Sequence, residues 1–409
     1  MGKTTSRKII FNRRRFNVRK YLKVKNFLIL ACSILGILVV TSFVSMQLLK
    51  NKVDKSTIKY TADTNEEKNE ETNNDNLPVP VNNDFSDNEE GKQDIKNDDN
   101  TSIMILGEIM MGGKVTENLD YDYLMAFKDV YEITKKSDFT YANFATNITN
   151  LESIEDAKSK YLVTKNISSA FNALGIDSLS LANDHITDFP SDIIKNTENI
   201  LEENSIFVAG KKDMPVYFEK NGKKVSVIST NSVIIGTKAA YDKSNISIYD
   251  KENIKKNIDE AKKMSDFVIV DLHWGKGESS FGVSELMKEM AKFVIDNGAD
   301  LVMGTHAIGI QPIEIYNGKP IIYTTGYFMT DLEYETTKVS YMFNLNFNKD
   351  TKLSTIEMIP IYIKGSKETL LYKNYDEVAA NINMKNLCNR NIQNGVTSEI
   401  REDRIVVKF

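Results

Sequence analysis

The sequence predicts an α/β fold held behind an N-terminal membrane-spanning helix. Three observations predict it. From Ser102 onward, apolar runs of strand length alternate with amphipathic runs of helix length. Two Asn-Gly dipeptides, Asn221-Gly222 and Asn317-Gly318, lie between apolar runs and mark hairpins. One stretch, Phe27 to Leu49, is uncharged and overwhelmingly apolar over 23 residues. Alternating periods specify sheets covered by helices, because each element must bury its apolar face against another.

The front of the chain is read first. A helix of that apolar length would span about 34 Å, enough to cross a bilayer core. Residues 1–26 carry ten Lys or Arg and no Asp or Glu, which assigns them to the cytoplasm and the rest of the chain to the outside. A cleaved signal peptide is the alternative, but its apolar region is typically about 7–15 residues long and ends in small residues. This run ends in Met46-Gln47-Leu48-Leu49-Lys50, so an uncleaved anchor is expected in a single-pass cell-membrane protein. Residues 50–100 read as a disordered acidic, Asn-rich linker. Thr61 to Asn100 hold thirteen Asp or Glu against three Lys, and such a chain cannot bury enough surface to fold. Residues 101–365 are expected to form an extracellular α/β domain, and residues 366–409 a C-terminal extension packed on it.

The elements of the body follow in order. "SIMILGEI" is a buried strand, and "DYLMAFKDVYEITKKS" has helical spacing. "FTYANFAT" and "YLVTKN" read as strands. "ISSAFNALG" is a helix ending at Gly175. "IDSLSLAND" is a strand, and "SDIIKNTENILEEN" a helix with Ser191 as N-cap. The hairpin at Asn221-Gly222 precedes the helix "NIKKNIDEAKKMS" and the strand "DFVIVDLHWG". The capped helix "SELMKEMAKFVIDNG" leads to the strand "ADLVMGTH", then to the second hairpin. Two long strands, the helix "EVAANINMKNLCNRNI" and the strand "DRIVVKF" complete the chain.

Composition limits the function. The chain has a formal net charge of −5, and beyond the linker it is mildly acidic, which gives no electrostatic reason to bind nucleic acid. Two cysteines, Cys32 and Cys388, exclude a disulfide framework and a Cys-rich metal cluster. There are three histidines, His185, His273 and His306, and each directly follows an apolar strand. The strand "IMILGE" ends likewise in a carboxylate, Glu108. Ligands of open α/β folds bind beyond the carboxyl ends of strands. Glu108, Asn183-Asp184-His185, His273 and His306 are therefore expected to share a pocket. Carboxylate and imidazole donors suit a divalent cation such as Zn or Mn.

These motifs resemble the CapA family, the bacterial poly-γ-glutamate capsule synthesis proteins, which are similar in fold to calcineurin-like metallophosphoesterases. The resemblance runs from about Ser102 to about Ile363. "GEIMMGG" stands for the family's Gly-Asp-Ile-Met-x-Gly-Arg, "NFA" at Asn143 for Asn-Leu/Phe-Glu, and "LANDHITD" for Leu-Ala-Asn-Asn-His-x-x-Asp. His273-Trp274-Gly275 is intact, "GTHAIGIQP" stands for Gly-His-His-Pro-His-x-x-Gln, and "TTGYF" for Ser-Leu-Gly-Asn-Phe. The resemblance implies a metallophosphoesterase-like four-layer α-β-β-α sandwich. It also implies membrane capsule-synthase partners and an anionic polymer as the molecule handled.

Departures from the family pattern thin the ligand set. Glu108 replaces Asp, Gly113 replaces Arg, Ala145 replaces Glu, and Asp184 replaces Asn. Thr305 and Ile308 stand for histidines, and Tyr327 stands for Asn. The remaining metal candidates are Glu108, Asp184, His273 and His306. His185 occupies the place of the phosphoesterase acid–base histidine. Four groups suffice for a single divalent ion, Mn or Zn, whereas a two-metal site needs bridging ligands and ions about 3.5–4 Å apart. The expectation is a non-catalytic capsule component. The alternative is a metal-dependent phosphoesterase, or a polymer-acting hydrolase or transferase, using His185. A third reading is a small-ligand pocket near Trp274. Lys211-Lys212 and Lys223-Lys224 are the candidate contacts for a polyanion.

Overall fold

The computed structural model describes residues 101–151, 161–235, 238–275, 282–350, 352–372, 375–389, 392 and 396–409. The expected basic segment 1–26, membrane helix 27–49 and linker 50–100 lie outside the described residues. Among the described residues, no helix is long and apolar enough to cross a membrane.

Two mixed sheets form the body. One is ten-stranded. Its centre is the strand Thr101–Ile109, paired in parallel with Phe139–Phe144 and antiparallel with Val339–Phe347. Ser178–Ser180 and Phe207–Ala209 extend it in parallel on one side. Leu353–Lys364 and Arg404–Lys408 extend it antiparallel on the other. The other sheet is six-stranded. Its parallel core is Lys223–Asn231, Phe267–His273, Leu301–Thr305 and Lys319–Ile322.

Side-chain alternation sorts these strands into layers. Ile103 and Ile105 point into an apolar core that they share with Val225, Val227, Ile269, Leu301 and Met303 of the six-stranded sheet. Their neighbours Met104 and Leu106 point the opposite way, into a second core with the helices Ile167–Leu174 and Ser191–Glu203. Val268, Val270 and Val302 fill a third core with the helices Lys251–Met264 and Glu285–Asp296. Strands buried on both faces read as continuous apolar runs for this reason. Each fully buried aliphatic side chain contributes about 1.5–3 kcal/mol of transfer free energy, so the sandwich of sheets between helices carries most of the stability.

The turn chemistry acts as expected. Asn221 and Gly222, at φ 52° and 72°, join Val216–Lys220 to Lys223–Asn231. Asn317 and Gly318, at φ 51° and 75°, join Ile313–Tyr316 to Lys319–Ile322. Both residues of such a turn need positive φ, which Asn and Gly tolerate best. Ser284 caps the Glu285–Asp296 helix by accepting the Met287 amide, and Asp250 caps Lys251–Met264 through the amides of Glu252 and Asn253.

Three expectations are corrected. Ser191 is the first helical residue rather than the cap, because the extended backbone falls at Pro190 (ψ 155°) and no side chain caps that helix. The long helix expected over 122–137 divides into a 3-10 turn, Tyr123–Phe127, and one α turn, Tyr131–Thr134. The strand expected over 176–184 stops at Ser180. There the Ser180 hydroxyl accepts the Ala182 amide, and Asn183 N–H bonds Leu181 O. Such local bonds compete with a ladder, and they turn Asn183-Asp184-His185 out of the sheet. Residues 366–409 contribute Glu368–Leu371, Thr397–Arg401 and Arg404–Lys408 to the ten-stranded sheet. Cys388 is free and buried against the inter-sheet core.

Candidate metal centre

The parallel strands of both sheets end at one place. Glu108 lies opposite Asn143 in the ten-stranded sheet. In the six-stranded sheet, His273 lies opposite both Asn231 and Thr305. Asp184 reaches this junction from the loop after Ser178–Ser180, and His306 follows Thr305 directly. The ligand atoms of Asp184, His273 and His306 lie within 4.8 Å of one another, the one such group among the described residues.

Asp184 is the hub. Its Oδ1 is 2.9 Å from His273 Nε2 and 3.7 Å from His306 Nδ1. Its Oδ2 is 3.9 Å from His185 Nε2. His273 Nδ1 is 2.9 Å from Thr305 Oγ1. With Nδ1 occupied by Thr305, Nε2 is the atom presented to the centre. Holding the other ring nitrogen this way is what orients a metal-binding histidine. Thr305 stands where the family pattern has a histidine, and here it orients His273 instead.

Glu108 takes a different part from its three partners. Its buried carboxylate accepts the His306 backbone N–H at 2.9 Å. His306 has φ 76°, a left-handed conformation that costs a non-glycine residue about 1–3 kcal/mol. Glu108 thus holds His306 in the backbone turn that aims its ring at Asp184.

Charge follows from this packing. Burial opposes ionisation of Asp184, but the His273 hydrogen bond and the charges of His273, His185 and His306 outweigh it. Its carboxyl is held well below the usual range. Burial lowers His273, but its bond to Asp184 and the charges of Glu108, Asp184 and Asp271 raise it overall. Burial and the adjacent His273 push His306 down to about 4, against the pull of Asp184. Burial, then the Asp184 charge, raise Glu108 against the opposing charge of His273.

His185 stands at the rim, with its side chain 23% exposed. Its Nδ1 is 2.9 Å from Asp188 Oδ2, and the Tyr161 ring packs edge-on against it at 4.3 Å between centroids. Burial would lower its pKa, but the Asp188 bond and the Asp184 charge raise it.

The structure also places Trp274 and the candidate polyanion lysines. Trp274 is fully buried, bonds Tyr323 O through Nε1 at 3.0 Å and stacks on the Tyr323 ring. Three of the four candidate polyanion lysines are engaged. Lys211 pairs with Glu198 and Glu202, Lys224 pairs with Glu219, and Lys223 is buried and donates to Asn348 O.

A family model for the bacterial capsule synthesis protein PGA_cap matches residues 102–332, which contain every residue of this centre. The chain belongs to that family. It is 28% identical over 282 residues to the PGA biosynthesis protein CapA of Bacillus subtilis (strain 168), covering 65% of this chain and 72% of that protein. It is 27% identical over 283 residues to the capsule biosynthesis protein CapA of Bacillus anthracis, covering 64% and 67%. Among solved structures it matches a protein provisionally named a 5′-nucleotidase from Staphylococcus aureus, in complex with alpha-ketoglutarate. That match has 13% identity and a TM-score of 0.41, over 70% of this chain and 58% of that one.

The donor set fits one divalent ion. One carboxylate and two imidazoles are the donor types Zn and Mn accept, and all three side chains are already turned to one point. Ala145, at the family's Glu position, is buried and apolar, so it offers no donor for a second ion. Sequence reasoning missed Asp271, Tyr141 and Ser229, and read Thr305 only as the place of a lost histidine. The available signal was a lone aspartate inside the apolar run "FVIVDLH", two residues before a histidine.

Proposed function

We propose that this PGA_cap protein is a membrane-anchored, extracytoplasmic component of poly-γ-glutamate capsule synthesis and export. Its body works beside membrane synthase subunits and an anionic polymer. In this reading the body has the helix–sheet–sheet–helix build of calcineurin-like metallophosphoesterases. Its centre holds one divalent ion, bound by Asp184, His273 and His306, for binding rather than hydrolysis. The observation that carries this is the pairing of a converged three-donor set with an apolar residue at position 145. One ion bound at the strand ends offers a positive charge to the carboxylates of a polyanion in an acidic body where Lys211, Lys223 and Lys224 are already engaged. Elemental analysis and calorimetric titration of the full-length chain with Mn and Zn test it, beside a His273→Ala/His306→Ala variant. Stoichiometric binding that the variant loses supports the reading, and equal uptake by both proteins overturns it.

One observation favours a second reading. The His185–Asp188 contact at 2.9 Å, beside Asp184, is a pairing that would support a general acid or base. In that case the loaded protein would hydrolyse phosphoesters or γ-glutamyl bonds, and His185→Ala would abolish turnover while leaving ion binding intact. Absence of turnover in the loaded wild-type protein rules this reading out.

A further inference from the structure

The centre takes Asp184 from the ten-stranded side and His273 and His306 from the six-stranded side, so something must fix the two sheets at that edge. We infer that Asp271 is the positioning residue that does so. This rests on the reading of the three residues as an ion site.

Asp271 lies two residues before His273 on the same strand, so both side chains project from the same face, toward the ten-stranded sheet. It is fully buried. Its Oδ2 accepts the Tyr141 hydroxyl at 2.6 Å, the Ser229 hydroxyl at 2.8 Å and Asn143 Nδ2 at 3.4 Å. Tyr141 and Asn143 belong to the opposite sheet. Ser229 stands beside Asp271 in its own sheet and is 2.6 Å from Ser180 Oγ across the gap. Ser229 gives its hydrogen to Asp271, so Ser180 is the donor in that pair. The Ser180 oxygen in turn accepts the Ala182 amide.

The relay therefore runs from Asp271 through Ser229 and Ser180 to Ala182. A second arm runs from Asp271 through Asn143, whose Oδ1 accepts Asn183 Nδ2 at 3.2 Å. Asn183 Nδ2 also donates to Phe144 O at 2.9 Å. Both arms end within two residues of Asp184. Asp271 sits under His273 and, through these bonds, holds the loop that presents Asp184. It touches none of the three donor atoms, though its charge also helps raise His273, so the crystal structure in the test below separates position from charge. Among the described residues, Asp271 Oδ1 and Asn183 Oδ1 accept no hydrogen bond. The relay therefore rests on Asp271 Oδ2 and Asn183 Nδ2, and a buried network of this kind holds shape through the bonds it does make. Outer groups that orient ligands typically change ion affinity about 10–100-fold when removed.

The test uses the full-length chain and four proteins: wild type, Asp271→Asn, Tyr141→Phe, and Val302→Ala in the outer core as a stability control. Zn affinity is measured by titration, unfolding by denaturant, and the Asp271→Asn protein is crystallised. The expected result is about a tenfold or greater loss of affinity in Asp271→Asn and a smaller loss in Tyr141→Phe. Val302→Ala, destabilised in a region away from the relay, should bind like wild type. Asp271→Asn affinity within twofold of wild type overturns the inference. If Asp271→Asn does not fold, Tyr141→Phe decides by the same criterion. If wild type itself binds no Zn, the ion-site reading fails. The crystal structure then judges the positioning: an Asp184–His273 contact unchanged at 2.9 Å overturns it, and a separation supports it.

Discussion

Asp184 and His273 come from opposite sides of the sandwich and meet at 2.9 Å, both almost completely buried. Each is the other's main reason for being charged. Removing one partner of a buried pair costs about 3–5 kcal/mol, because the remaining charge is left without compensation. His273→Ala should therefore destabilise the body by about 3 kcal/mol in denaturant unfolding without added metal. His185→Ala, at the exposed rim, should cost under about 1 kcal/mol. Equal costs would show that the buried pair is not the anchor described.

His306 gives a pH signature. Its folded pKa of about 4 lies below the ordinary histidine value, so the unfolded chain takes up its proton first as pH falls. The sign follows: His306 costs nothing above about pH 7, and its destabilising effect grows between about pH 6.5 and 4, then levels off. The stability difference between wild type and His306→Gln should change across that window by about 2–3 kcal/mol and stay flat above it. A pH-independent difference between the two proteins would contradict the buried, neutral His306.

Ion uptake should release a proton. His273 is raised by Asp184, and a histidine must be neutral to bind metal. Below the raised His273 value, binding displaces the proton that Asp184 holds on Nε2. Calorimetric titration in buffers of different ionisation enthalpy should give observed heats that scale with the buffer at about pH 6.5. The dependence should weaken as pH rises through the raised His273 value. Buffer-independent heats at the lower pH would rule out His273 as the protonated partner.

Gly304 is required by packing. A Cβ there would lie 2.2 Å from Trp274 Nε1 and 2.4 Å from Tyr323 O. The carbonyl is backbone and cannot swing aside. Gly304→Ala should cost about 3 kcal/mol or more, at the upper end of overpacking effects, read from the denaturant midpoint. It should also weaken ion binding, because Gly304 precedes Thr305 and His306. A neutral Gly304→Ala would mean that Trp274 can leave this strand.

The residues of the centre were legible because each sits where a local pattern changes. An apolar run ending in Asp184-His185, His273 or His306 is visible along the chain, and so is a run ending in Glu108. The Asn-Gly turns and the Ser284 cap were legible for the same reason, since their chemistry is confined to a few neighbouring residues. The part Glu108 plays was not: nothing local says that its carboxylate turns to the His306 amide, 198 positions away. Thr305 looked like a lost ligand and orients His273. Asp271 passed unread inside the apolar run of its strand, and it joins two sheets.

By itself, then, the sequence determined the α/β class, the Asn-Gly turns, the Ser284 cap and the donor types, because these depend on periodicity and on the stereochemistry of single residues. Only the tertiary structure decided which strand entered which sheet, and which donors met at 2.9 Å and which at 3.7 Å. Strands buried on both faces share one apolar pattern, so their partners are chosen by how side chains interlock across the sandwich. That choice depends on distances that adjacent residues do not carry.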